Sequence, residues 1–235
     1  MNWPEWTTDD GRIRLIQADC LEVLPTLSGI DAVVTYPPYG ISHVSNRPKA
    51  MRDTPINGDS DTSLRDCVLE ELCDVPSIVF GTWRRARPKR LRGVLIWDKG
   101  GAVGMGDLSF PWKPSFEEIY ISGDGFSGTR GGAVLRHVVN AQACGGVNGD
   151  GWLHPHEKPI ELLEELIEKC PGETILDTFA GSCTTAIACM RTGRRFIGIE
   201  KERKYWEIGI ERVKKELGRT VLFDRPPARQ AELIA

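Results

Sequence analysis

The sequence predicts an α/β domain built on a doubly wound, mostly parallel sheet. Three observations predict it. Compact apolar runs, "IDAVVT", "SIVFG" and "GVLIWDK", have the two-sided apolar character of buried strands. Longer stretches, "TSLRDCVLEELC", "KPIELLEELIEKC" and "KERKYWEIGIERVKKEL", repeat apolar residues at helical spacing. The two kinds alternate, and alternation of this kind is met by a parallel sheet covered with helices. The 235 residues are enough for one such domain with a sizeable core.

The elements follow in order. "RIRLIQAD" alternates apolar and polar residues like a strand and ends at Asp19, and "CLEVLPTL" makes a short helix. "IDAVVT" then runs into Tyr36, Pro37, Pro38, Tyr39 and Gly40. Paired prolines stop a strand or helix, so a buried strand ends here in a rigid, aromatic-flanked turn. A helix starts at Thr62 or Ser63, with Leu64, Val68, Leu69 and Leu72 at helical spacing, and two strands follow it. Residues 99–151 are rich in glycine and read as long loops around one or two strands, "EEIYIS" the clearest. Loops of that length usually carry function or are disordered, and the aromatics Trp112, Phe116, Tyr120 and Phe126 argue against disorder throughout. Pro159 suits a first helical turn, and Ile160, Leu163, Ile167 and Cys170 form its apolar stripe. "ETILDTFAGSCTTAIACMRTGRRFIGIE" reads as strand, tight turn, helix and strand. The last helix sets Trp206, Ile210, Val213 and Leu217 on one face, and residues 225–235 are expected to be a flexible tail.

Composition excludes several classes. No apolar run approaches the roughly 18 residues of a membrane span, and the acidic "MNWPEWTTDD" has no export signal. Seven scattered cysteines include no Cys-x-x-Cys pair, which argues against a zinc ribbon or disulfide framework and for a reducing cytoplasm. His154 and His156 have no third ligand cluster nearby, so no metal is expected. The net charge of −3 excludes a uniformly basic nucleic-acid coat. "RRARPKRLR" nevertheless holds six basic residues in nine, either a solvated helix end or a phosphate-contacting patch.

The most informative segment is "ILDTFAGSCTTAIA" with "FIGIE" following. A strand ends at the acidic Asp177, a turn of small residues (Ala180, Gly181, Ser182) feeds a helix, and the next strand ends at Glu200. Glycine lets a backbone approach a ligand closely, and an acidic strand end can accept two ribose hydroxyls. No Lys follows the turn, so it is not a phosphate-cradling loop of the ATP-binding kind. Two acidic strand ends around such a turn suit a nucleoside with a positive charge, S-adenosylmethionine being the obvious candidate; a Rossmann crossover without that ligand is the alternative.

With these blocks in view, the chain resembles the DNA amino-methyltransferases, and its block order resembles their beta group: catalytic turn first, cofactor block late. The family's cofactor turn, Asp-Pro-Phe-x-Gly-Ser-Gly-Thr-Thr, is matched by Asp177 to Thr185. "HPHEKP" resembles its preceding segment, and "QADCLEVL" the block ahead of the catalytic turn. The resemblance covers residues 12–45 and 152–217 well and the middle loosely. It implies a Rossmann-like methyltransferase fold over residues 1–224, with a catalytic half (12–98), a target-recognition region (99–151) and a cofactor-binding half (152–224). It places Asp177, Thr178, Phe179, Ala180, Gly181, Ser182 and Cys183 around the methionine part of the cofactor, with Thr35 nearby. Glu200 would hold the ribose, Asp19 and Cys20 would lie by the adenine, and Lys158 and Pro159 would border the amino-acid end. DNA is the implied partner, adenine is favoured over cytosine, and a homodimer is a family expectation.

The family's catalytic turn is Asp-Pro-Pro-Tyr or a Ser- or Asn-headed version. The leading side chain and the proline carbonyl accept the amine's two hydrogens, which helps the nitrogen rehybridise and aims its lone pair. The last tyrosine, here Tyr39, would stack on a base flipped from the duplex. Tyr36 stands where the acceptor belongs, and a neutral phenol is a weak acceptor. Thr178 replaces the usual Pro and Cys183 the usual Gly. Three readings stay open: an inactive relative that still binds cofactor or DNA; a methyltransferase in which Pro37, Pro38 and water cover the loss; or an enzyme using carboxy-S-adenosylmethionine, whose carboxylate a neutral Tyr36 would tolerate and Thr178 could assist. The resemblance also makes Arg84, Arg85, Arg87 and Lys89 candidate phosphate contacts, and Arg130, Arg136, His137 and Asn140 candidate base or phosphate contacts.

Overall fold

The computed structural model describes residues 3–41, 59–100, 109, 111–112, 115–137 and 158–222. One nine-stranded sheet runs through them. Its strands are β1 (Glu5–Thr7), β2 (Ile13–Gln17), β3 (Ala32–Thr35), β4 (Ser77–Gly81), β5 (Leu91–Asp98), β6 (Phe116–Ser122), β7 (Val134–Arg136), β8 (Thr174–Asp177) and β9 (Arg195–Glu200). The helices are α1 (Cys20–Val23), α2 (Ser63–Glu71), α3 (Ile160–Glu168), α4 (Thr184–Arg191) and α5 (Arg203–Leu222). The spatial order is β1-β2-β9-β8-β3-β4-β6-β5-β7.

The five strands from β2 to β4 in that order are mutually parallel. β6 is antiparallel to both its neighbours, and β1 is antiparallel to β2. The doubly wound, mostly parallel sheet expected from the sequence is therefore present. β1 and β7, three residues each, are too short to show a period and were not legible in the sequence.

Every residue of β3 is buried. Ala32 and Val34 join the core on one face of the sheet, and Val33 joins the core on the other. This two-sided burial is why the run is continuously apolar instead of alternating. The stripe expected on α3 (Ile160, Leu163, Ile167) is buried, and so are Leu162 and Leu166, because α3 also packs against α4. Among the described residues no helix is long and apolar enough to cross a membrane.

From β3 the chain proceeds to β4 on one side, and from β8 to β9 on the other. β3 and β8 are themselves neighbours, so the winding reverses between them. Ligands of open α/β sheets bind at the carboxyl ends of strands at such a reversal.

Candidate active site

Both turns singled out in the sequence lie at that reversal. β3 ends at Thr35 and continues directly into Tyr36, Pro37, Pro38 and Tyr39. Gly40 closes the turn at φ +72°, and a Cβ there would stand 2.5 Å from the Asp61 carbonyl carbon. Only glycine fits. Asp59 Oδ1 accepts the Gly40 N–H at 2.6 Å and the Ile41 N–H at 3.3 Å, fixing the exit of the turn.

The second turn follows β8. Gly181 N–H donates to Glu200 Oε2 at 2.7 Å, and Ala180 N–H to the Ile199 carbonyl at 2.9 Å. These bonds tie the turn to the end of β9. Arg212, buried in α5, reaches over from the far side: its Nη1 donates to Thr184 Oγ1 at 2.8 Å and to the Ser182 carbonyl at 3.2 Å. Cys183 caps α4 in the left-handed region at φ +60°, a conformation costly for a residue with a Cβ. Its Sγ fills the space opposite Gly209, where an added Cβ would approach it to 2.4 Å.

Hydroxyls join the two turns. Thr35 Oγ1 donates to Asp177 Oδ1 at 2.7 Å and lies 3.0 Å from Thr178 Oγ1. Thr185 Oγ1 lies 2.6 Å from Asp177 Oδ2 and 3.2 Å from the Tyr36 hydroxyl. Asp177 is 0% exposed, and burial pushes its carboxyl up to about 6 against the pull of Thr185, Thr35 and the Phe179 N–H. Burial also raises Glu200. The groups bearing on these two acids are hydroxyls, backbone N–H groups and other carboxylates, so a cationic ligand between the strand ends would be favoured. This is the chemistry that a sulfonium nucleoside presents.

A buried cation stands beside the Tyr-Pro-Pro-Tyr turn. Lys158 Nζ donates to Glu117 Oε2 at 2.8 Å and to the Tyr39 hydroxyl at 3.1 Å. The rings of Tyr36, Tyr39, Phe80 and Trp97 surround it with centroids at 5.3–5.7 Å. The Tyr39 hydroxyl donates to Glu117 Oε2 at 2.6 Å, and Lys99 bonds the other oxygen. Burial would raise Glu117, but Lys158 and Lys99 outweigh it and hold the carboxyl at about 2.

The structure thus gathers Thr35, Tyr36, Tyr39, Lys158, Asp177, Thr178 and Glu200 around one reversal. Lys158, expected at the amino-acid end of a cofactor, lies among the rings of Tyr36, Tyr39, Phe80 and Trp97, and Pro159 caps α3 beside it. Asp19 also lies at a carboxyl end, where it caps α1 and meets Lys201 at 2.9 Å; Cys20 is buried behind it.

The basic residues are not gathered in this way. The run after β4 crosses from the carboxyl end of that strand to the start of β5. Arg84 and Arg85 are exposed near the carboxyl edge. Arg87 is taken up by Glu118, Nη2 to Oε1 at 2.5 Å. Arg90 and Arg92 pair with Glu70 and Asp124, so Lys89 beside them lies toward the opposite edge. Arg130 is at that opposite edge as well. β6 runs antiparallel, so the loop leaving it lies by the starts of β4 and β8, where Thr129 accepts from Lys169. Arg136 is exposed on the outermost strand, 3.8 Å from Asp98. His137 Nε2 bonds Glu165 at 2.9 Å and fixes α3 instead of facing solvent. Asn140, His154 and His156 lie outside the described residues.

Thr185, Arg212, Glu117, Asp59 and Gly209 were not assigned roles from the sequence. Thr185 lay within the matched turn. The others carry no local signal, because each acts on a residue distant in the chain.

Residues 95–211 match the family model for DNA methylases. Over those residues the chain is similar to the N6/N4 DNA methylases. Among its methylase relatives, YubD of Escherichia coli (strain K12), a methylase by name, is 28% identical over 212 residues, 85% of this chain and 89% of its own. The DNA adenine methyltransferase YhdJ of the same organism is 44% identical over 62 residues, 26% of this chain and 21% of its own. The cytosine-N4-specific PvuII DNA methyltransferase superposes with a TM-score of 0.62 at 15% identity, covering 94% of this chain and 97% of that one. The M1.HpyAVI–SAM complex superposes at 0.57 with 18% identity, covering 85% and 99%. The fold is therefore the Rossmann-like one shared by these methyltransferase structures.

Proposed function

We propose that this chain transfers a methyl group from S-adenosylmethionine to the exocyclic amine of a base flipped out of DNA, adenine in preference to cytosine. One observation carries the reading: the Tyr-Pro-Pro-Tyr turn and the acidic small-residue turn meet at the sheet's reversal, Thr35 Oγ1 to Asp177 Oδ1 at 2.7 Å. The likeness to DNA methylases, with a DNA adenine methyltransferase among the relatives, supports it.

When bound, S-adenosylmethionine supplies an electrophilic methyl carbon. Asp177, Thr178, Phe179, Ala180, Gly181, Ser182 and Cys183 would line its methionine part and Glu200 its ribose, with Asp19 and Cys20 toward the adenine. Burial of Asp177 and Glu200 favours a positive ligand. The Pro37 and Pro38 carbonyls are free of the constraint of a following strand and can accept amine hydrogens. Tyr39, held through its hydroxyl by Glu117 and Lys158, presents a fixed aromatic face to a planar base. Arg84 and Arg85 follow β4 at this edge, are exposed, and would meet phosphates.

A carboxymethyl donor is a second reading, favoured by the buried cation Lys158 at 5.7 Å from the Tyr36 ring. It requires the Tyr36 and Thr178 hydroxyls to leave their present partners, Thr185 and Thr35. The test is to incubate the protein with DNA and each donor, digest the DNA, and identify nucleosides by mass spectrometry. Methyladenine from S-adenosylmethionine is expected. Carboxymethyl product would transfer the assignment to the second reading, and no product with either donor would leave a binding protein and overturn both.

A further inference from the structure

We infer that Tyr36, Thr185 and Asp177 form a hydroxyl relay that takes up the proton the amine releases, with Asp177 serving as the carboxylate that the catalytic turn lacks. The inference rests on the methyl-transfer reading above and gives Tyr36 a role in it.

Geometry fixes the direction of the chain. Thr185 Oγ1 has one hydrogen and two neighbours, Asp177 Oδ2 at 2.6 Å and the Tyr36 hydroxyl at 3.2 Å. An ionised carboxylate only accepts, so Thr185 gives its hydrogen to Asp177 and accepts the Tyr36 hydrogen. The other carboxylate oxygen accepts from Thr35 at 2.7 Å and from the Phe179 N–H at 3.0 Å. The acid is thus held in place from β3 and from its own turn, and its Oδ2 is committed to the relay. Tyr36 begins the turn that the methyl-transfer reading sets against the amine, and its hydroxyl meets Thr185, which in turn meets the buried carboxylate.

The step balances as follows. The amine nitrogen bonds the donor carbon as the carbon–sulfur electron pair stays on sulfur. The nitrogen's proton passes to the Tyr36 oxygen, the Tyr36 proton to Thr185 Oγ1, and the Thr185 proton to Asp177 Oδ2. The tyrosine and threonine end as they began, and Asp177 ends as a carboxylic acid that returns its proton to water when product leaves. A carboxyl poised at about 6 is ionised at neutral pH and still basic enough to accept. The other titratable or charged groups that bear on this cluster are Lys158 and Tyr39 beside Tyr36, Cys183 of the turn, Cys189 of α4, Glu200 of β9 and Arg212 of α5. Burial keeps the two thiols neutral, and Glu200 and Arg212 bear oppositely.

The test uses full-length protein in two measurements. First, single-turnover transfer to DNA is followed against pH for wild type, Thr185→Val and Thr185→Ser, with cofactor affinity measured in parallel. Wild type is expected to lose rate as pH falls through about 6. Thr185→Val should lose at least about tenfold in rate and lose that acid limb, with cofactor affinity unchanged, and Thr185→Ser should restore both. Second, the Asp177 carboxyl is titrated by carbon NMR without cofactor; its midpoint should rise in Thr185→Val, which removes a hydrogen bond to the ionised form. A Thr185→Val rate within twofold of wild type, or an unchanged acid limb, overturns the relay and leaves methyl transfer standing. Absence of transfer by wild type overturns the methyl-transfer reading and the relay with it.

Discussion

Glu117 and Lys158 form a buried ion pair beside the catalytic turn, Oε2 to Nζ at 2.8 Å. They lie 41 residues apart in sequence, and the Tyr39 hydroxyl shares the same carboxylate oxygen. The pair determines where the Tyr39 ring stands, because both partners bond its oxygen. Substituting Glu117→Gln removes the negative charge that faces Lys158 in the aromatic box. A loss of about 3–5 kcal/mol is expected, the usual cost of breaking a buried pair on one side. The sign with pH follows from the low folded value. Glu117 sits at about 2, below its ordinary 4.5, so its stabilisation is complete above 4.5 and disappears as pH falls toward 2. Urea unfolding at neutral pH and across pH 5 to 2 checks both parts: the variant should be weaker at neutral pH and less sensitive to acid over about that range.

Asp177 works in the opposite sense. Its folded value of about 6 lies above the ordinary 3.8, so the native state holds this proton more tightly than the unfolded chain. The protein therefore loses stability as pH rises through that window, by roughly 3 kcal/mol at most, at about 1.4 kcal/mol for each unit. Asp177→Asn removes the titration. Its melting temperature is expected to gain on wild type between about pH 4 and pH 7, while transfer activity is lost. A wild-type minus variant difference that does not change with pH would contradict this.

The turn after β8 depends on Gly209, which sequence alone places in the middle of α5 without a reason. An alanine Cβ there would meet Cys183 Sγ at 2.4 Å. Gly209→Ala should cost about 1–3 kcal/mol by overpacking and weaken cofactor binding through the displaced turn. Cys183→Gly removes the sulfur and relieves the positive φ of +60°. The double variant should therefore recover most of the loss. A coupling energy above about 0.5 kcal/mol in a double-mutant cycle, read by thermal unfolding, is the expected result.

The sheet also divides the basic residues between its two edges. Arg84 and Arg85 stand near the carboxyl edge, and Arg130 near the opposite one. Replacing Arg84 and Arg85 together by Ala should weaken DNA binding and reduce the slope of log affinity against log salt by about two. Arg130→Ala should leave the slope unchanged within about half a unit. Arg87→Ala should instead reduce stability, since Arg87 balances the buried Glu118. Fluorescence anisotropy with a labelled duplex at several salt concentrations separates the three.

Much of the fold was legible because helical and strand periods are local. The burial of β3 on both faces wrote an unbroken apolar run, and α3 and α5 carried stripes of the right spacing. β1 and β7 were not legible, because three residues cannot show a period. The site was legible in part. Asp177, Gly181 and Glu200 announced themselves by standing at strand ends around a small-residue turn, and Tyr36 to Tyr39 by breaking a strand. Lys158 is expected at a cofactor end from its position in a motif; its surroundings, Glu117 and the rings of Tyr36, Tyr39, Phe80 and Trp97, come from segments distant in the chain. The edge at which Arg130 lies follows from β6 running antiparallel, which nothing in a loop sequence tells.

By itself the sequence determined the elements long enough to show a period, their order and the two interruptions where chemistry can sit, since each is encoded within a dozen neighbouring residues. Only the tertiary structure decided what each polar group meets. Thr35 and Asp177 are 142 residues apart and become partners because β3 and β8 lie side by side at the reversal. The same adjacency sets Tyr36 against Thr185 across 149 residues. Strand order is a property of the whole packed sheet. So the acid that stands behind Tyr36, and with it a role for that unexpected tyrosine, emerges only when the sheet is complete.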